Sequence, residues 1–280
     1  MLELFGRKKA RKRLNAALRG SDPPSFPQGV LDLMRLLRDP DADTGRIAET
    51  LAWDPGLVVR VLKMVNSAAF GLSSKVDCVR HAVTVMGRSR LEQLVLGVTV
   101  KDNLPKAPAR GFEAARFWHA AFFRASVARA IAGAIHPVDQ ERSFTGALLQ
   151  DMAVPLLAHA RPDDYGEVLE EWHGSEKTEL HVLEKSAFGW SHDEIGGHLA
   201  VDWELPESLT RLIGVHHQDE VGDRELPPAL RLVAVHRETH REHGTEAMIE
   251  EGRAYGLEPD WIRSVVQTSD EHAFELAQVL

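Results

Sequence analysis

Cysteine is nearly absent: among 280 residues only Cys78 is one. An intramolecular disulfide is thereby excluded, and with it the stapled framework of a small secreted domain. Long apolar runs are absent too. The longest, Leu91 to Val100, is interrupted by Glu92, Gln93 and Thr99 and has about half the ~20 residues that a bilayer span needs. No transmembrane helix or signal segment is expected, and the chain reads as a reduced, soluble, cytoplasmic protein. There is no G-x-S-x-G elbow, no P-loop and no Gly-rich dinucleotide fingerprint, which removes the commonest signatures of nucleophilic and nucleotide-dependent catalysis. Cys78 sits between Val76 and Val79, a setting that suits a buried inert thiol. Alternating strand-like runs are scarce, so the expected fold is all-α.

What charge there is divides unevenly. Arg7, Lys8, Lys9, Arg11, Lys12, Arg13 and Arg19 against Glu3 give the first 19 residues a net +6, so the whole-chain charge of −9 leaves −15 on the other 261. The expectation is a basic, flexible arm over residues 1–22, ended by Pro23, Pro24 and Pro27, on an acidic body. Contact with nucleic acid or an anionic membrane surface is then confined to residues 1–19, with Leu2, Leu4 and Phe5 available for shallow insertion.

Helical periodicity begins after the prolines. Val30, Leu33, Met34 and Leu37 repeat at steps of three and four before Asp39-Pro40 stops the helix. Asp43 or Thr44 caps a short helix holding Ile47, Ala48 and Leu51, and Asp54-Pro55 opens another through Leu57, Val58, Val61, Leu62 and Val65. Segments 113–136, 142–160, 176–188, 206–216 and 228–243 are rich in helix formers. Ser191-His192-Asp193-Glu194 has capping-box spacing, in which hydroxyl and carboxylate satisfy free donors at a helix start. Asn66-Ser67-Ala68-Ala69-Phe70-Gly71 reads as a helix exit.

Fourteen histidines invite a metal reading. His236 and His240 share a helix face, but Arg237 follows the first where a zinc protease has its catalytic Glu, so HRETHREH is read as a solvated, charged helix end. His216 and His217 point about 100° apart on a helix and reach one site only if the helix ends there.

Taken in order, Asp54-Pro55, L-K-M-V-N-S-A-A-F-G (Leu62 to Gly71), A-V-x-x-M-G (Ala82 to Gly87), F-W-H (Phe117 to His119), A-L-L-Q-D (Ala147 to Asp151) and V-H-H (Val215 to His217) closely resemble the HDOD family over residues 23–219. The family is composed of bacterial signalling and output modules related to the HD metal phosphohydrolases. The resemblance implies a two-lobed helical bundle: an N-terminal lobe over 23–105 carrying Asn66, Ser67, Phe70 and Gly71, an HD-like lobe over 106–219, and a helical extension over 220–280. It also implies a pocket built from His119, Gln150, Asp151, His216, His217 and His236. There Gln150-Asp151 stands at the His-Asp pair, His119 near the first His and His236 at the late Asp. In that alignment only Asp151 retains its ligand type. The set falls short of a two-metal centre; no cofactor is expected beyond weak binding of a single metal ion. After the double His comes Gln218-Asp219-Glu220-Val221-Gly222, without the Gly-Tyr-Pro element of cyclic-dinucleotide phosphodiesterases. The leading expectation is a non-catalytic regulatory module binding a protein partner or a signalling nucleotide such as a cyclic dinucleotide. The alternatives are a residual phosphohydrolase using Asp151, His119 and His236, and polyanion or membrane binding through the arm.

Overall fold

The computed structural model describes residues 2–67, 72, 75–106, 109–176, 178–218, 226–237 and 239–279, with side chains from Lys8 to Phe274 within those spans. Among the described residues there is no strand, only an isolated bridge between Ala109 and Phe112. Phe70 and Gly71 of the N-S-x-x-F-G motif lie outside the described residues, as does the side chain of Arg7.

Five helices make the N-terminal lobe: α2 (Gln28–Arg38), α3 (Thr44–Leu51), α4 (Pro55–Val65), α5 (Val79–Met86) and α6 (Arg88–Asn103). Their starts follow the sequence. Asp43 accepts from the Gly45 and Arg46 amides, and Asp54 accepts from the Leu57 amide ahead of Pro55; each satisfies donors left free at a helix start. The buried face of α2 is Val30, Leu33, Met34 and Leu37, as its spacing predicts. Asn66 ends α4 and does more. Its amide donates to the Leu62 and Val76 carbonyls at 2.8 and 2.7 Å and accepts from the Val76 amide at 2.8 Å, tying the helix exit to the chain that leads into α5. That segment buries Val76 but leaves Cys78 exposed, contrary to the buried thiol expected from its neighbours. The apolar stretch 91–100 is α6, buried almost all round because it lies between the lobes. No helix among the described residues is long and apolar enough to cross a membrane.

The HD-like lobe comprises α7 (Ala114–Ile135), α8 (Gln140–Leu149), α9 (Ala153–Ala160), α10 (Asp164–Gly174), α11 (Leu180–Phe188), α12 (His192–Asp202) and α13 (Glu207–Val215). After it come α14 (Pro228–Ala234), which packs on α7 and α8, α15 (Arg241–Gly252), and α16 (Pro259–Val279), which lies along α7 and reaches α4. One continuous apolar core runs from Leu14 to Ala273, so the segment after residue 219 is part of the body.

The N-terminal segment differs from the flexible arm expected of its charge. Residues Leu2–Ala17 form α1, docked on α12 with Ala10, Leu14, Ala17 and Leu18 fully buried. Four small or apolar residues at steps of four, three and one make a narrow docking stripe among the basic residues. Arg161 then donates to the Ala16 and Ala17 carbonyls, and Arg19 pairs with Asp164, fastening the helix C-terminus. Lys8, Lys9, Arg11, Lys12 and Arg13 are exposed. The proline segment is anchored as well, since the Trp203 indole donates to the Pro24 carbonyl and packs on Phe26.

Candidate functional site: a histidine-carboxylate cluster beneath a lined cavity

Segment 142–160 is not one helix. It breaks at Gln150-Asp151-Met152 between α8 and α9, and the break turns Asp151 toward the starts and ends of α12 and α13. Gly189 ends α11 in the left-handed region (φ 75°), a conformation that favours glycine, and the turn after it delivers His192 as the first residue of α12. Helices α12 and α13 meet closely: a Cβ on Gly197 would lie 3.0 Å from the Gly214 Cα. That contact brings His216 and His217, just past the end of α13, up to His192.

The result is a cluster in which Asp151, His192, His216 and His217 each offer one ligand atom, all within 4.8 Å of one another. Asp151 Oδ1 lies 3.3 Å from His192 Nε2 and 3.3 Å from His216 Nε2, and His217 Nε2 lies 3.2 Å from His192 Nε2. The other ring nitrogens of His192 and His216 are occupied from behind. His192 Nδ1 donates to Glu184 at 2.7 Å, Glu184 also accepts from the His192 amide and from the Tyr165 hydroxyl, and His216 Nδ1 donates to the Ile213 carbonyl at 2.8 Å. Such outer contacts fix tautomer and ring orientation, here turning Nε2 inward.

A cation already faces the carboxylate. Arg124, from the middle of α7, donates to Asp151 Oδ2 at 2.5 Å. Burial pushes the Asp151 carboxyl up, but Arg124 and the neighbouring His192 and His216 rings outweigh it and hold the group well below its ordinary value. Burial pulls the His192 imidazole down, yet Glu184 and Asp151 hold it well above its ordinary value. His217 goes the other way, lowered by burial and by the neighbouring imidazoles. Arg124 and protonated His192 thus balance Asp151 and Glu184, which is how buried charge becomes tolerable.

Above the cluster lies a cavity of about 270 Å³. Phe112, Phe117 and Trp172 supply aromatic wall, and Arg116, Arg237 and His236, with Glu113 and Glu179, supply polar wall.

Comparison with known proteins agrees with this architecture. The family model of the HDOD domain matches residues 24–219. The chain belongs to the HDOD family. Solved structures with similar folds include a "Putative phosphohydrolase" from Shewanella amazonensis SB2B, with TM-score 0.75 and 20% identity, covering 95% of this chain and 97% of that one. Another is an HDOD domain protein with unknown function from Geobacter sulfurreducens, with TM-score 0.73 and 20% identity over 97% and 99% of the two chains. A third is a "Putative signal transduction protein" from Marinobacter aquaeolei VT8, with TM-score 0.72 and 17% identity over 98% and 66%. At such identities these likenesses speak to fold. A curated relative from Treponema pallidum (strain Nichols), described as an uncharacterized protein, is 28% identical over 217 residues, which are 76% of this chain and 41% of that protein. The chain therefore spans about two fifths of that relative.

Of the six HDOD pocket residues expected from alignment, Asp151, His216 and His217 converge. The other three do not join them. His119 sits apart, held between Arg241 (3.3 Å) and Asp270 (3.5 Å). Gln150 is buried, but the helix break turns the next residue, Asp151, into the cavity while Gln150 does not line it. His236 lines the cavity, but its ring packs tilted against Phe123 at a 4.2 Å centroid distance and stays outside the ligand cluster. Asp151, His119 and His236 therefore do not form a ligand cluster among the described residues. Nor is HRETHREH a solvated end: α14 stops at Ala234, His236 and Arg237 are buried, and Arg237 donates to the Ser175 and Thr178 carbonyls beside Trp172.

Three residues of the HDOD site escaped the sequence. His192 was hidden by the capping-box pattern, yet Ser191 makes no cap hydrogen bond, and Glu194 faces Lys185. Arg124 was the readable signal, since one arginine amid F-F-R-A-S-V on a buried helix requires a buried anion. Glu184 lay on a segment read only as helical, with nothing local to mark it.

Proposed function

We propose that this HDOD chain is a regulatory signal-transduction module that binds a signalling nucleotide in the lined cavity and does not hydrolyse it. The observation that carries the reading is the Arg124–Asp151 pair. A two-metal phosphohydrolase centre needs several carboxylates to balance two divalent ions. Here the ligand cluster contains one carboxylate, and a tethered guanidinium already neutralises it. The aromatic walls suit a base, and the arginines on the same walls suit its phosphate.

Three imidazole nitrogens and one carboxylate oxygen do fit a single borderline divalent ion such as zinc or nickel, and His216 Nε2 has no hydrogen-bond partner. This supports a second reading, a one-metal phosphohydrolase. Such an ion would supply a water of lowered pKa. His192, His216, His217 and Asp151 would hold it, with Glu184 and the Ile213 carbonyl fixing two of the rings.

Purified full-length chain, incubated with cyclic di-GMP and with bis-p-nitrophenyl phosphate in EDTA, Mg2+, Mn2+ or Zn2+, separates the two readings. The regulatory reading expects saturable cyclic di-GMP binding and no product by chromatography under any condition. Metal-dependent turnover that disappears in Asp151→Ala and His192→Ala overturns it, as does absence of nucleotide binding.

A further inference from the structure

A second cavity, of about 430 Å³, opens where the N-terminal lobe, the HD-like lobe and α16 meet. Its floor is apolar: Met64, Met86, Leu94, Phe122 and Leu148, all buried within the core, approach it from α4, α5, α6, α7 and α8. Arg90, Arg129 and His272 stand on its walls, and no aspartate or glutamate lines it. Arg129 is held by Gln93 (2.9 Å) and Glu141 (2.7 Å) through Nη2 and lies over the Phe144 ring, while its buried Nε has no hydrogen-bond partner.

Helix α7 separates this space from the nucleotide cavity. Ala120 and Arg124 line the nucleotide cavity, whereas Phe122, Ser126, Arg129 and Ala130 line the second. Residues two apart on a helix point about 200° from each other, so the two sets occupy opposite faces.

From this geometry we infer that the second cavity is a binding site for an amphipathic carboxylate, its apolar body on the methionine-phenylalanine floor and its anionic head at Arg129. The volume lies in the range of small-molecule sites, roughly 300–1,000 Å³. Apolar side chains from five helices meeting at an open space leave hydrocarbon surface against water, and an apolar occupant relieves that contact. Two arginines on the wall outnumber the one carboxylate, Glu141, that pairs with Arg129 from outside the cavity, and the Arg129 Nε donor is still unpaired, which favours an anionic head group.

Titration calorimetry on the full chain with submicellar decanoate tests the site, using decanol and decyltrimethylammonium as matched-tail controls. Saturable decanoate binding is expected, with both controls at least tenfold weaker. Ala130→Phe, which places a ring in the cavity, should weaken decanoate at least tenfold, and Arg129→Gln several-fold, while His217→Ala in the other cavity leaves it unchanged. No saturable decanoate binding, or equal binding by Ala130→Phe, overturns the site. Decanol binding as tightly as decanoate overturns the carboxylate assignment. Because Ala130→Phe leaves the Arg129 pairing in place, an unfolded Arg129→Gln protein would still leave the inference open to refutation.

Discussion

His236 should make the protein acid-sensitive in a way that one substitution removes. Its ring is buried against Phe123, and neither nitrogen has a hydrogen-bond partner. Burial, with Arg124 and Arg241 nearby, lowers its pKa to about 3, against about 6.5 in an unfolded chain. Between those values the unfolded chain binds the extra proton and the folded one does not, so stability is full above pH ~6.5 and falls as the pH drops through the window. At pH 5.0 the linkage amounts to about 2 kcal/mol, and at pH 7.5 to less than about 0.1 kcal/mol. His236→Phe keeps the ring contact and removes the titration, along with the unsatisfied nitrogens that cost stability at any pH. Urea unfolding of both proteins at pH 7.5 and 5.0 gives a double difference in which the other histidines cancel. The variant should be at least as stable at pH 7.5 and should lose about 2 kcal/mol less on acidification. Equal acid losses in the two proteins would refute the assignment of a neutral buried imidazole.

Arg124→Leu leaves the Asp151 carboxylate without its main partner, and thermal or urea unfolding in EDTA should show a loss of about 3–5 kcal/mol. Added Ni2+ should restore much of that loss, because a divalent ion can take the vacated charge role beside the imidazoles; wild type should gain less. Asn66→Ala removes three side-chain-to-backbone hydrogen bonds and should cost about 2–4 kcal/mol in the same assay. Leu14→Ala, at a fully buried position of α1, should cost about 3 kcal/mol, with amide exchange rising first in residues 8–18; unchanged exchange there would contradict docking on α12.

The N-terminal lobe was legible because its helices advertise themselves locally. Asp43, Asp54 and the four-residue face of α2 are signals within one or two turns of chain. Legibility failed where tertiary contact overrides local pattern. The charges of α1 conceal a stripe of four docking residues, and the helix exists because Arg161 and α12 receive it. Ser191 through Glu194 carries capping-box letters, but Ser191 makes no cap hydrogen bond and the His192 amide goes to Glu184 instead. His216 and His217 share the site because α13 ends at Val215, an end that the sequence allowed without specifying. Family resemblance located Asp151 and the double histidine. It did not yield His192, Glu184 or Arg124, whose roles depend on contacts across 27 residues for Arg124 with Asp151 and eight for Glu184 with His192.

Two arginines on α7 meet carboxylates at opposite ends of α8: Arg129 reaches Glu141 near its start, and Arg124 reaches Asp151 just beyond its finish. The two helices are therefore a beam pinned at both ends, with Arg124 on the wall of one cavity and Arg129 on the wall of the other. A beam of that kind resists both sliding and rocking, because sliding must break both ion pairs together and rocking about one must break the other.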